Sequence, residues 1–231
     1  MPLVLYASGD GGWFGAAVDM FHTIAAGGYP TVGLSSKALM KLAEPRNERL
    51  HPGTLTADYL AILAQARTAL GLRDATPVIL TGWSRGASFA VIVAAQSAAR
   101  PLVRGVVAIG MTHGENLRVD DDADDGAEAE EAAGASVDET GDDRAIPPLR
   151  RGEFDIYAVL RGLRPLRSAV IQATRDNYLP AARARRLFGD DTATRRLFAV
   201  DARNHRFSGG RDAFHRALRD ALRWTAAART D

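Results

Sequence analysis

Residues 77–99 constrain the fold more tightly than any other stretch of this chain. Val78-Ile79-Leu80 is a short run that is apolar throughout. Gly82-Trp83-Ser84-Arg85-Gly86 follows at once, and residues 87–95 then carry no charge. A short apolar run bounded by turn residues reads as a strand buried on both faces, and a longer one as a helix. The helix predicted over 85–99 is too apolar for a surface position. A doubly covered strand that feeds a buried helix belongs inside a parallel sheet.

The rest of the chain repeats this alternation. Strands are predicted at 3–7, 31–34, 77–80, 102–109, 169–173 and 197–200. Helices are predicted at 14–26, 56–70, 85–99 and 212–227, and Arg183, Arg185 and Arg186 also read as helical. In the second helix Leu60, Leu63 and Leu70 recur with Ala61, Ala64 and Ala69 between them. Strands alternating with helices imply βαβ units, hence an α/β fold with a mostly parallel sheet covered on both faces.

The chain has 231 residues, of which 46% are hydrophobic, enough for one sizeable core and one domain, 1–231. It has no cysteine, which excludes a disulfide scaffold, a cysteine nucleophile, zinc fingers and iron–sulfur clusters. No apolar stretch is long enough to cross a bilayer.

The net charge of +1 hides a division. Residues 119–143 hold 12 acids and no Lys or Arg. The other 206 residues set 16 acids against 29 bases, or +13, and all the bases except Lys37 and Lys41 are arginine. The acidic run, with Val119 and Val137 as its only branched aliphatics, lacks the apolar surface that would offset its ordering entropy. It reads as a disordered insert. Its Asp120–Asp125 cluster does not fit a calcium loop, since the spacing lacks the bidentate Glu at position 12. The arginine-rich body carries no nucleic-acid motif. A modest attraction to anionic lipid headgroups is the expected consequence of its charge. Met1-Pro2 leads directly into Leu3-Val4-Leu5-Tyr6 with no basic start and long apolar region, so a cytoplasmic location is expected of the sequence as written. The alternative is a periplasmic protein whose signal lies outside this sequence.

The chemistry centres on Ser84. Gly-x-Ser-x-Gly between a strand and a helix is the nucleophile elbow, a tight turn that exposes the hydroxyl at the carboxyl edge of the sheet. A serine hydroxyl needs a base. Of His22, His51, His113, His205 and His215, His205 is expected in that role, because it lies just past the sixth strand and ahead of the closing helix. His22 and His215 lie within helices, His51 precedes a proline in a loop, and His113 could reach the rim of the site. The base needs a carboxylate partner. Asp176, just past the fifth strand, is the first choice and Asp201 the runner-up; Asp190 and Asp191 follow a helix, away from the active edge. The oxyanion hole needs two backbone N–H groups. These are expected from Arg85 and from Asp10 in the loop Ser8-Gly9-Asp10-Gly11-Gly12, with Gly11 as the alternative. Gly11, Trp13, Trp83 and Glu115 are expected to contact substrate. The glycine loop lacks the Gly-x-Gly-x-x-Gly spacing of a dinucleotide site.

These residues make the chain resemble the α/β-hydrolases, and within them the bacterial virulence protein VirJ/AcvB family. The resemblance rests on Ser8-Gly9-Asp10-Gly11-Gly12-Trp13, on Gly27-Gly28-Tyr29-Pro30-Thr31-Val32-Gly33, on the elbow read through Ala87, and on Asn204-His205-Arg206-Phe207. It covers most of the chain outside 115–150. It implies a minimal, doubly wound sheet of six parallel strands in the order 2-1-3-4-5-6, with two leading strands of the full hydrolase sheet missing. Segment 110–165 then occupies the place of a lid, its ordered part expected at 153–163. The resemblance further implies hydrolysis of lysyl-phosphatidylglycerol, an aminoacylated membrane lipid, in the periplasm. Asp10 and Glu115 are then the candidates for holding the lysyl ammonium.

The expected activity is therefore ester hydrolysis through an acyl-enzyme, with no metal or organic cofactor. A general esterase or thioesterase of other substrate and a non-catalytic binding protein on a hydrolase scaffold are the alternatives. Oligomeric state is left open.

Overall fold

The computed structural model describes residues 1–43, 50–117, 146 and 148–227. The acidic insert, 119–143, lies outside the described residues. Six strands form the main sheet: β1 (Leu3–Ala7), β2 (Thr31–Leu34), β3 (Val78–Trp83), β4 (Val103–Ile109), β7 (Arg167–Ala173) and β8 (Arg195–Val200). Their spatial order is β2-β1-β3-β4-β7-β8, and every neighbouring pair is parallel. Counted along the sheet-forming strands, this is the expected 2-1-3-4-5-6.

Side-chain alternation along the strands sorts the core into two layers. Leu3, Leu5, Val78, Leu80, Val106 and Val170 point to one face. There they meet α2 (Ser36–Ala43), α3 (Pro52–Ala69), α4 (Arg85–Ala95), α5 (Ile156–Arg161) and α6 (Ala181–Phe188). Val4, Tyr6, Ile79, Val107, Ile109 and Ile171 point to the other, against α1 (Ala16–Ala26) and α7 (Arg211–Ala226). Every residue of α4 from Gly86 to Ala94 is buried, as its composition demands.

Helix ends follow local chemistry. α3 starts at Pro52, ahead of the predicted 56, because the His51 side chain accepts the Gly53 N–H at 3.1 Å and proline suits the first helical turn. α4 stops at Ala95 rather than 99, since Gln96 is extended and a 3₁₀ turn, Arg100–Leu102, carries the chain into β4. The short α2, α5 and α6 carry too few residues for a decisive periodic signal. α5 does fall inside the 153–163 segment expected to be ordered.

A small second sheet, like α2, falls outside the elements expected from the sequence. β5 (Gly114–Glu115) and β6 (Phe154–Asp155) pair antiparallel, Gly114 with Asp155 and Glu115 with Phe154. Two-residue strands leave no alternation to read. This clip ties the chain on both sides of the acidic insert to the carboxyl edge of the sheet.

The crossing of β1, β3 and α4 is set by two glycines. A Cβ on Gly82 would lie 2.3 Å from the Gly86 carbonyl carbon, and one on Gly86 2.4 Å from the carbonyl oxygens of Ala7 and Ser8. Both contacts are to backbone, which has no rotamer to yield. Gly86→Ala is therefore expected to destabilise the protein by about 1–3 kcal/mol or more through overpacking, read as a lower urea midpoint at unchanged slope.

Candidate active site

Ser84 caps α4 with φ 56° and ψ −123°. Such values for a non-glycine residue cost about 1–3 kcal/mol and persist only where the surroundings enforce them. Here the Ser84 N–H donates to the Ile109 carbonyl at 2.9 Å, and the Ser84 carbonyl accepts from Ala87 and Ser88. The residue is thereby held between the ends of β3 and β4 and the start of the helix. The N-terminal end of α4 favours negative charge beside it.

Asp176 and His205 meet at the carboxyl edge of the sheet. Asp176 lies three residues past β7, His205 five past β8, and both are buried. His205 Nδ1 is 2.8 Å from Asp176 Oδ2. Asp176 also accepts from Gln172 Nε2 at 3.1 Å, from the Tyr178 N–H at 2.9 Å and from the Leu179 N–H at 3.3 Å. These donors satisfy a carboxylate that would be costly to bury alone. A carboxylate accepts only, so Nδ1 carries a hydrogen, and in the neutral imidazole the lone pair is then on Nε2. Nε2 is buried without a hydrogen-bond partner, so the Ser84 hydroxyl is not bonded to it here. Asp201, the runner-up, pairs instead with Arg175 at 3.1 Å on the surface. Asp191 pairs with Arg185. His215 pairs with Asp19 at 3.1 Å between α7 and α1, and His51 caps α3.

A cavity of about 380 Å³ opens over Ser84. Asp10, Arg85, Glu115, His113, Arg150 and Tyr178 are among its lining residues. His113 thus does reach the rim. Asp10 arrives on the loop after β1, which runs close over the elbow: a Cβ on Gly9 would lie 3.5 Å from Ser84 Cβ. That loop is pinned by Ser36, whose hydroxyl donates to the Ser8 carbonyl at 2.6 Å. The Ser8–Ser36 contact spans 28 residues, so spacing alone does not reveal it.

Three residues expected against substrate sit elsewhere. Gly11 is exposed and does not line the cavity. Trp13 packs edge-on against Tyr6 and Phe21 and lies directly over Gly33. Trp83 lies beneath His205, ring centroids 5.4 Å apart. Aromatic residues beside a catalytic motif read equally well as lining or as support, and only packing separates the two. Conversely, Tyr178, Arg150 and Glu153 line the cavity without having been singled out. Tyr178 had one available signal, its place two residues after Asp176.

Glu115 does line the cavity, but it is buried and paired with Arg85, Nε to Oε1 3.5 Å. Burial pushes its carboxyl above the ordinary range, and the Arg85 guanidinium offsets part of that rise. A raised native pKa means the folded state binds this proton more readily than the unfolded state. Its contribution to stability therefore falls as pH rises from the ordinary carboxylate range through the raised value. Glu115→Gln is expected to flatten that part of the urea-midpoint profile against pH.

Among the described residues, no cluster of three or more His, Asp or Glu is arranged to hold a metal, and no helix is long and apolar enough to cross a membrane.

No family model matches the sequence, and no curated protein matches it significantly. Solved structures do match. Est1E from Butyrivibrio proteoclasticus superposes with a TM-score of 0.60 at 13% identity, covering 98% of this chain and 89% of its own. The esterase domain of a Rhodothermus marinus protein gives 0.58 at 17%, covering 97% and 86%. A protein from Xanthomonas campestris pv. campestris, described as belonging to the alpha/beta superfamily of hydrolases, gives 0.53 at 17%, covering 96% and 99%. The likeness extends over nearly the whole chain and is one of architecture: the protein has the α/β-hydrolase fold.

Proposed function

We propose that the protein is a serine hydrolase that cleaves a carboxylic ester through an acyl-enzyme. The observation that carries this reading is the buried Asp176–His205 pair at 2.8 Å, delivered to the same sheet edge as a serine held at φ 56° on a helix N-terminus. The esterase fold of the structural neighbours supports it.

In this reading His205 Nε2 takes the proton of Ser84 as its oxygen attacks the ester carbonyl. The buried lone pair of Nε2 fits that role. The hydrogen bond between the two groups forms once substrate fills the cavity. The backbone N–H groups of Arg85 and Asp10 hold the oxyanion. His205 then protonates the leaving alcohol, and water attacks the acyl-enzyme by the same route. Asp176 keeps the hydrogen on Nδ1 and stabilises the imidazolium.

Ser84→Ala is expected to lower kcat on a p-nitrophenyl ester by roughly 10⁴-fold or more, and Asp176→Asn by a comparable factor, since asparagine donates to Nδ1 and inverts the tautomer. A fluorophosphonate probe labels wild-type protein at Ser84 and leaves Ser84→Ala unlabelled. Absence of labelling in the wild type favours a binding protein on this scaffold instead.

The finer reading, from the resemblance to the VirJ/AcvB family, is an aminoacyl ester of the lysyl-phosphatidylglycerol kind. The Asp10, Glu115 and Glu153 carboxylates around the cavity support a cationic acyl group. Glu115 is already partnered by Arg85, so Asp10 is better placed than Glu115 for an ammonium. Asp10→Asn keeps its backbone N–H. It is expected to reduce the preference for lysyl over neutral aminoacyl esters by roughly 2- to 5-fold, the loss of one partly screened ion pair, measured as a ratio of kcat/KM.

A further inference from the structure

The loop that carries His205 is attached to the elbow by a contact the hydrolytic scheme does not use. Trp83, the last residue of β3 and the neighbour of Ser84, donates from its indole Nε1 to the His205 carbonyl oxygen at 3.3 Å. The same indole lies under the imidazole, tilted 30° with centroids 5.4 Å apart. Tyr178 also packs edge-on against the imidazole, centroids 4.9 Å apart at 71°. Asn177 Oδ1 accepts the His205 N–H at 3.4 Å.

The space for this arrangement is set by Gly110. Its φ is +56°, and a Cβ there would lie 2.9 Å from His205 Cε1 and 3.2 Å from Trp83 Cδ1 and Nε1. The far side of the loop is anchored independently, by Phe207 stacked on Phe214 of α7 at 4.4 Å. Between those anchors, the Trp83 side chain ties the His205 main chain to the strand that leads into Ser84.

We propose that Trp83 is a positioning residue for His205, resting on the reading of Ser84 as nucleophile and His205 as base. Its N–H fixes the height of the His205 backbone relative to the elbow, and its ring fixes the tilt of the imidazole. Because nucleophile and Trp83 are adjacent in the chain, Ser84 and His205 are held to a common reference. Trp83 does not line the cavity, so it acts on turnover and not on substrate affinity.

The test compares Trp83→Phe, which keeps a ring but loses the donor, with Trp83→Ala, using p-nitrophenyl acetate. Misplacement of a catalytic group by about 1 Å costs on the order of 10²-fold, so kcat should fall roughly 10- to 100-fold in Trp83→Ala and less in Trp83→Phe, with KM little changed. A kcat that stays within about twofold of wild type in both folded variants, or a loss carried by KM, overturns the proposal. Where Trp83→Ala does not fold by circular dichroism, Trp83→Phe alone decides it.

A second readout does not depend on activity. In protein labelled with ¹⁵N-histidine, the His205 Nδ1–H signal should be sharp in the wild type and broadened or lost by exchange in Trp83→Phe. An unchanged signal overturns the positioning role. Wild-type activity in Ser84→Ala would instead overturn the hydrolase reading, while the Nδ1–H signal still decides whether Trp83 orders the imidazole.

Discussion

The close passage of three backbone segments at Gly82 and Gly86 governs the rest of the structure. β3 must turn into α4 while the chain leaving β1 runs across the same point. A Cβ on Gly86 would sit 2.4 Å from two carbonyl oxygens of that passing chain. With no side chain at either glycine, the loop after β1 can lie on the elbow. Asp10 then shares a cavity with Ser84 and Arg85. The backbone strain at Ser84 is one local cost of this arrangement. It is sustained because the strand on one side and the helix on the other are both buried and have no room to relax.

From that fixed point the site is assembled by topology. A doubly wound sheet leaves the carboxyl ends of its central strands open where the chain reverses direction across the sheet. Here that place lies between β1 and β3. β7 and β8 deliver Asp176 and His205 to the same edge from further along the sheet. The two loops are joined by the Asp176–His205 contact and by Asn177, and they are joined to the elbow through Trp83. Parallel strands make this convergence automatic, since every β-to-α loop emerges on one side.

The sequence was most legible where a single local rule operated. The six main strands fall at or within a few residues of their expected places, because runs such as Leu3–Ala7 are apolar throughout and bounded by glycine or proline. The places of Ser84, Asp176 and His205 at the carboxyl edge of the sheet were legible because each follows a strand by a few residues. Legibility failed where the deciding contact was distant in sequence. Trp13 and Trp83 look like substrate residues beside the motifs, but one covers Gly33 and the other lies against His205. The β5–β6 clip pairs residues about forty positions apart, with too few residues in each strand for alternation to register.

What the sequence by itself determined is the class of structure and the order of its chemical groups along the chain. Apolar runs, glycine spacing and helix periodicity are local properties, and they specify strands, helices and the elbow without reference to anything distant. Only the tertiary structure decided which side chains face one another. Glu115 turned out to be the partner of Arg85, Tyr178 became a wall of the cavity, and the Trp83 indole came to rest against His205 rather than in the cavity. Those outcomes depend on the twist and register of strands separated by tens of residues. That geometry arises from packing the whole sheet between two layers of helices, and no short window of residues contains it.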